Sequence, residues 1–444
     1  MNRRILSLAL PNIITNITVP LLGMVDMAIV GHLSAAHIGA ITIGASIFNL
    51  IYWNFGFLRM GTSGMTAQAY GARRMDEAVR ILIRACVVAL AIAAMLLLLQ
   101  WPLSRLALLI FEGSDEVLRM AMIYFFIRIW AAPATLGLYA VKGWFIGMQD
   151  SRTPMWIAIV LNVVNILCSL LFVLVFHWDI AGVALGTVVA QYSGLALGAF
   201  FLRKKLRVLN LEIPKNLIKS ALHWRDMRGF FSLNGDIFLR TVCLASVFTF
   251  ITAASGRMSD EVLAIDALLL QFFTLFSYIM DGFAYAGESL VGRYIGARDP
   301  RNLRSAVRWL VIWGLGLTVV FTAMYAVGGE WFLRLFSDDA GIIEGASGYM
   351  FWVLVIPVCG FAAFLFDGIF IGATAGRTMR NAMFVATAAF FAVYFGLKAV
   401  AGNRSVLDIT MWNNILWTAF MIYLSLRGLL QALRLRHDVY ARAE

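Results

Sequence analysis

Apolar residues in this chain form long runs that end at charged residues or at clusters of glycine and proline. Most of these runs reach the roughly 20 residues that an α-helix needs to cross a bilayer. The pattern predicts an all-α polytopic membrane protein. Its twelve transmembrane helices are expected near residues 10–33, 38–64, 81–101, 118–141, 154–177, 180–202, 230–255, 262–287, 306–327, 345–368, 381–401 and 408–430.

Composition excludes a water-soluble globule, because 61% of the 444 residues are hydrophobic and 14% are charged. A soluble domain has about 45–50% apolar and about 25% charged residues. The four cysteines lie inside apolar stretches without CxxC spacing, so we interpret them as packing residues and expect no metal site built from them.

The net charge of +11 is explained by topology. If the N-terminus is cytoplasmic, 26 of the 36 Lys and Arg residues fall in cytoplasmic segments and 6 on the opposite face. Membrane proteins concentrate basic residues on the cytoplasmic side, so both termini are predicted to be cytoplasmic. No nucleic-acid partner is needed to account for the charge.

The two halves of the sequence repeat each other at an offset of 225 residues. Gly71-Ala72-Arg73 recurs at 296–298, and the Gly-x-Phe-Ile-Gly segment at 143–147 recurs at 368–372. An even number of helices in each half makes the repeat parallel, with a pseudo-twofold axis along the membrane normal. Two six-helix bundles are therefore predicted, as in transporters that alternate access to a central cavity.

These features set the predicted domain bounds. They are 1–202 for an N-lobe with helices 1–6, 203–228 for a basic cytoplasmic linker, 229–430 for a C-lobe with helices 7–12, and 431–444 for a cytoplasmic tail. The linker fits either an amphipathic helix on the anionic leaflet or a plain basic loop.

Asp26 is the leading functional candidate, because a charge within a membrane span is costly and marks a functional site by default. A carboxylate there is neutralised by a proton or a bound cation, which is the minimum chemistry of an antiporter. The alternative is a structural carboxyl that neighbouring hydroxyls and amides satisfy. Pro20 lies in the same predicted helix and can bend it.

Polar residues in neighbouring spans complete a candidate cation-coupling site. Asn162, Asn165 and Ser169 lie on one face of the predicted fifth helix, and Tyr139 and Thr187 are weaker candidates. Polar contacts that join helices explain the same stripe equally well.

The second half carries a possible C-lobe charge cluster. Its members are Asp266, Asp281, Glu288 and Asp367. They can form a second cation site, or they can be structural, with Glu288 near Arg293. Asp236 and Arg240 are four residues apart, and a structural ion pair within one helix is the favoured interpretation.

The sequence contains no ATP-binding motif of the form GxxxxGKS or GxxxxGKT. It also contains neither of the hydrolase motifs HExxH and GxSxG. We therefore expect no enzyme activity and no cofactor. Transport is expected to be secondary, driven by a proton or sodium gradient, and any metal at the coupling site is expected to be sodium.

The segment 25–33, VDMAIVGHL, together with 67–72, AQAYGA, resembles multidrug and toxic compound extrusion (MATE) transporters. Segments 281–284 and 367–372 resemble the DinF branch of that family. The resemblance covers essentially the full length. It implies a twelve-helix inner-membrane antiporter that exports amphipathic, often cationic compounds, with Asp26 as its coupling residue and Asn162 and Asn165 around it.

One departure concerns Ser169, where many relatives carry an aspartate, so a carboxylate pair with Asp26 cannot form at these positions. The coupling ion is therefore open between proton and sodium. We expect a monomer whose partners are amphipathic small molecules and membrane lipids.

The alternative function is a lipid-linked precursor flippase of the same superfamily. It needs a basic cavity, to which Arg59, Arg128, Lys142 and Arg240 are the candidate contributors.

Overall fold

The computed structural model describes residues 1–31, 34–111, 113–211, 220–401 and 409–444, and at 19, 21–28, 30, 31, 35 and 401 it describes the backbone alone. The described residues form helices and connecting turns. A bilayer core offers no water to backbone amides, and helices satisfy these groups internally.

The first half contains nine α-helices among its described residues. They are α1 (Asn2–Gly31), α2 (Ala35–Asn54), α3 (Phe57–Gly71), α4 (Met75–Leu98), α5 (Gln100–Ile110), α6 (Asp115–Arg128), α7 (Ala132–Gly147), α8 (Arg152–Leu170) and α9 (Asp179–Val208). Two predicted spans are each built from two consecutive helices, α2 with α3 and α6 with α7.

The second half contains seven α-helices in the part that the structure describes. They are α10 (Trp224–Met258), α11 (Asp260–Gly296), α12 (Pro300–Phe336), α13 (Ala340–Ser347), α14 (Met350–Gly372), α15 (Gly376–Ala401) and α16 (Ile409–Asp438).

Eleven of the helical segments in the described part are long and apolar enough to cross a membrane. With α1, which covers the first predicted span, they make the twelve transmembrane helices of the predicted fold, six in each half. Several are longer than predicted: α12 covers 37 residues where the sequence indicates 306–327. Residues 212–219 lie outside the described part, so the predicted amphipathic linker helix stays a prediction.

The chain folds into two compact units. The first unit is Leu10–Asn234, and the second unit is Met1–Ala9 with Gly235–Glu444. Both boundaries fall inside a helix, α1 and α10, and Leu10 and Gly235 are equivalent positions of the 225-residue repeat.

In the second unit, Arg4 Nη1 donates to Tyr294 Oη at 3.1 Å. In the first unit, Phe230 is fully buried in the core.

Glycines at equivalent repeat positions create very close helix contacts in both units. A Cβ on Gly143 of α7 would lie 2.4 Å from the carbonyl oxygen of Arg59 in α3, and one on Gly368 of α14 would lie 2.1 Å from that of Ala284 in α11. Arg59 and Ala284 are themselves 225 residues apart. Small residues spaced in this way let helix backbones approach closely within a membrane. The sequence repeat therefore corresponds to a repeat of the same helix–helix contact in both units.

We predict that Gly143→Ala and Gly368→Ala each destabilise the protein, by about 1–3 kcal/mol as is typical of overpacking. The added methyl group would meet backbone that cannot rotate away. Thermal unfolding in detergent measures the effect. Gly316→Ala is the matched control, since a Cβ at this position of α12 would meet nothing within 4 Å. Equal melting temperatures for all three variants would contradict the packing account.

Candidate functional site

A stripe of polar side chains on α8 faces the interior of the first unit. The spacing of three and four residues places Asn162, Asn165 and Ser169 on one side of the helix. Asn165 and Ser169 are fully buried, and Asn162 is half-buried. The predicted stripe therefore exists.

Asn165 joins α8 to α9. Its Nδ2 donates to Oγ1 of the buried Thr187 at 3.0 Å, and that hydroxyl in turn lies 3.2 Å from the Val183 carbonyl oxygen. The helices are close here because Gly186 has no side chain: a Cβ on it would lie 2.5 Å from Ser169 Oγ. The structure thus brings three of the predicted site residues together.

Two oxygens of this cluster have unused hydrogen-bonding capacity. Asn165 Oδ1 and Ser169 Oγ are buried and have no hydrogen-bond partner among the described residues. A buried polar atom without a partner costs about 1–3 kcal/mol, so such sites call for a proton, an ion or water to satisfy them. Two residues after Ser169, the helix continues as a π-helical turn at Leu171–Val175, a feature that is frequent at functional sites.

The stripe also contacts α1, the helix that contains Asp26. Asn162 Nδ2 donates to the carbonyl oxygen of Thr18 at 3.0 Å, and Asn12 Nδ2 donates to Ser151 Oγ at 3.0 Å. α1 contains Pro11 as well as Pro20, and each removes one backbone donor. The Asp26 side chain lies outside the described residues, so its coupling role stays a prediction.

Tyr139 lies on α7 in a basic part of the first unit. It is half-buried, and Arg59 and Arg128 both act on it electrostatically. Arg128 Nη1 donates to Tyr124 Oη, and its guanidinium carbon lies 4.9 Å from the centre of the Phe48 ring. Tyr139 therefore belongs to a different set of contacts from those of the α8 stripe.

In the second unit, Asp367 of α14 is the centre of an ion cluster. Arg240 of α10 and Arg427 of α16 both donate to its Oδ2, and Gln431 Nε2 donates to Oδ1 at 2.8 Å. All four residues are at least 95% buried. Two guanidinium groups thus neutralise a carboxylate that the sequence offers as part of a cation site.

The expected ion pair between Asp236 and Arg240 is replaced by two longer-range ones. Asp236 Oδ1 accepts from Arg380 Nη1 of α15 at 2.6 Å, while Arg240 pairs with Asp367. The residues are four apart on α10, but each finds its partner on another helix. The interpretation as a pair within one helix is corrected accordingly.

The other acidic candidates of the second unit lie on α11. Asp266 and Glu288 are buried, and Asp281 is half-buried and acts electrostatically on Arg427. Asp266 has a separate set of partners, Ser255, Asn413 and Trp417. The structure therefore does not gather all four predicted acids into one site. Among the described residues, no group of three or more His, Cys, Asp or Glu side chains is placed to hold a metal ion.

Sequence reasoning missed several of these partners. The charge pattern places Arg427 with the basic cytoplasmic tail, yet this residue lies within α16, is 2% exposed and is paired with Asp367. Arg427 and Gln431 are four residues apart on one helix. This spacing could have indicated a polar face at the end of the last predicted span. Asn413 and Trp417 of α16 show the same spacing, but nothing in the sequence points from them to Asp266.

Comparisons with known proteins agree with this architecture. The MatE family model matches residues 11–171 and 237–397, one match in each half. The chain is 38% identical to DNA damage-inducible protein F of Escherichia coli (strain K12) over 437 residues, covering 97% of this chain and 91% of that protein.

Two solved structures share the fold. One is described as MATE in the bent conformation, with a TM-score of 0.83, 16% identity, and coverage of 99% of this chain and 96% of that one. The other is described as the outward-facing conformation of a multidrug resistance MATE family transporter of the MOP superfamily, with a TM-score of 0.79, 16% identity and the same coverage. With one family match in each half, this chain belongs to the MATE family of multi-pass membrane transporters and resembles its DinF branch.

Proposed function

We propose that the protein is a secondary active antiporter in the bacterial inner membrane, with both termini in the cytoplasm. It exports amphipathic small molecules in exchange for protons or sodium ions by alternating access of its two halves. Cationic substrates are the class that the family resemblance implies. The transporter needs no cofactor besides the coupling ion. The protein works as a monomer among membrane lipids.

One observation carries the proposal: the buried acceptors Asn165 Oδ1 and Ser169 Oγ lack partners among the described residues. They lie on the helix that bonds to α1 through Asn162. A proton on Asp26, or a sodium ion bound beside it, is the kind of ligand that such oxygens can accommodate. Carbonyl, hydroxyl and carboxylate oxygens suit hard cations.

The ion cluster of the second unit supports assigning coupling to the first half. Asp367 already has two arginine partners and a glutamine, so a transported cation would have to displace a guanidinium group to reach it. Breaking a buried charge pair leaves an uncompensated charge, which is strongly unfavourable. At the repeat position equivalent to Asp26, the second half has the apolar residue Ile251.

The proposed cycle uses Asp26 as the exchange point. In the outward-facing state Asp26 takes up a proton or a sodium ion, and bound substrate is released. In the inward-facing state it gives up the ion, and substrate binds again. The membrane potential supplies about 2.3 kcal/mol for each charge moved through 100 mV.

We predict that Asp26→Asn abolishes efflux of tetraphenylphosphonium driven by an imposed proton or sodium gradient, because the amide cannot exchange a cation. Proteoliposomes with the reconstituted full chain provide the assay, and size-exclusion chromatography verifies folding. Glu116→Gln is the control, since Glu116 is an exposed carboxylate in the first turn of α6. Undiminished coupled efflux in folded Asp26→Asn would refute the antiport proposal.

We further predict that Asn165→Leu weakens the apparent affinity for the coupling cation about tenfold or more, because hydrogen bonds to charged groups contribute about 1.5–3 kcal/mol. Efflux rate measured against the concentration of the coupling cation gives this affinity. Val163→Ala is the matched control, as Val163 lies on the exposed face of α8. An unchanged affinity in Asn165→Leu would remove the α8 stripe from the coupling site.

A lipid-linked precursor flippase is the second candidate, and a specific observation favours retaining it. Arg59, Arg128 and Lys142 are cations within the first unit, the residue type that binds a phosphate headgroup. Arg240 belongs to the second unit and is paired with Asp367.

A lipid-scrambling assay separates the two functions. We expect no movement of a fluorescent anionic phospholipid between the leaflets of the proteoliposomes above, because the proposed substrates are soluble amphiphiles. Dithionite quenching of the outer leaflet gives the readout. Protein-dependent flipping that Arg59→Gln and Lys142→Gln together eliminate would favour the flippase instead.

A further inference from the structure

Asp266 is a buried carboxyl group in the second unit that the proposed cycle does not use. It lies on α11, six residues after the helix begins, and is 1% exposed. Its Oδ2 is hydrogen-bonded to Ser255 Oγ of α10. Its Oδ1 accepts from Asn413 Nδ2 at 2.9 Å and from Trp417 Nε1 at 2.8 Å, both on α16.

Every described partner of Asp266 is electrically neutral, in contrast to Asp367 and Asp236 with their arginines. An ionised carboxylate buried without a counter-charge is costly even when it is hydrogen-bonded. A proton removes that cost. The ion cluster shows that this fold can supply guanidinium partners to a buried carboxylate, and around Asp266 the described residues supply hydroxyl, amide and indole groups instead.

Charged and titratable side chains occur on each of the helices α10 to α13. The nearest along the chain are Arg257 on α10 and the helix-start acids Asp260 and Glu261 on α11. Tyr325 of α12 uses its hydroxyl to donate to the Phe272 carbonyl at 2.7 Å. Glu344 lies on α13. From α16, the side chains that face Asp266 are the Asn413 amide and the Trp417 indole.

The hydroxyl of Ser255 matches a protonated neighbour. Its oxygen is within bonding distance of two acceptors, Asp266 Oδ2 and, at 2.9 Å, the carbonyl oxygen of Ile251. One hydroxyl has a single proton and can serve one of them. If Asp266 carries a proton, its O–H donates to Ser255, and Ser255 donates to Ile251. Both contacts are then hydrogen bonds, while Asn413 and Trp417 continue to donate to Oδ1.

Asn413 can serve either charge state. Its Oδ1 is buried and has no partner among the described residues. A side-chain amide can present either its NH2 group or its oxygen to a neighbour. The NH2 group suits an Oδ1 without a proton, and the amide oxygen would accept from Asp266 if the proton were on Oδ1 instead of Oδ2.

The position of the carboxyl in the repeat is also informative. Ile251 is the equivalent of Asp26, 225 residues later. Ser255, which lies one turn beyond Ile251, bonds to Asp266. In the second half, the carboxyl group therefore lies on α11, bonded to a residue one turn beyond the repeat equivalent of Asp26.

We propose that Asp266 is a second proton-binding site, located in the second half and held by Ser255, Asn413 and Trp417. Binding and release of this proton follow from the local geometry. Only its use in transport rests on the proposed antiport function.

Infrared difference spectroscopy of the full chain in lipid, acid minus alkaline, tests the proposal because a protonated carboxyl has its own C=O stretching band. We expect Asp266→Asn to eliminate one such band that Asp26→Asn leaves in place. Trp417→Phe keeps the carboxyl but removes one hydrogen bond to it, so we expect the same band to move to higher wavenumber. Trp331→Phe, at an exposed position of α12, is the control and should change nothing.

The outcomes are distinct from those of the transport assay. Unchanged carboxyl bands in folded Asp266→Asn would overturn the proposal. If that variant does not fold, unchanged bands in Trp417→Phe would overturn it equally. Loss of transport coupling in Asp26→Asn tests the antiport function alone and does not depend on this band.

Discussion

The cost of an uncompensated charge in the membrane governs how this protein distributes its chemistry. Asp367 is neutralised by two arginines, Asp236 by Arg380, and Asp266 is surrounded by neutral donors. In the first unit, the α8 stripe contains buried oxygens without described partners. A transporter needs a site whose neutralising partner comes and goes, whereas Asp367 and Asp236 have fixed arginine partners. The two halves thus differ in chemistry although they share a fold.

That shared fold depends on contacts between backbones. Gly143 and Gly147 of α7 approach α3 as Gly368 and Gly372 of α14 approach α11. Side chains one residue away are free to differ, and Lys142 and Asp367 occupy the same repeat position with opposite charge. The backbone contact is the same in both halves, while the side chains next to it differ. One architecture can therefore hold an ion cluster in one half and a polar stripe in the other.

Much of the fold could be predicted from the sequence, because the lengths of the apolar runs and the 225-residue offset are properties of the chain alone. The α8 stripe also followed from spacing. The partners of the buried acids could not be predicted in the same way. Arg427 bonds to a residue 60 positions away, and Asp266 to one 147 positions away. Such pairs depend on how helices are arranged in space, which periodicity along one helix does not encode. Asp236 is an example: spacing along α10 indicated Arg240 as its partner, but the structure pairs it with Arg380 of α15.

The central claim is that an exchangeable cation, bound in the first half, drives export. It is tested most directly by reconstituting the unmodified protein and imposing proton and sodium gradients separately while following efflux of a panel of lipophilic cations. The account predicts that one of the two gradients, applied alone, drives efflux against a substrate gradient. Efflux that proceeds only down the substrate gradient, whatever ion gradient is imposed, would contradict it.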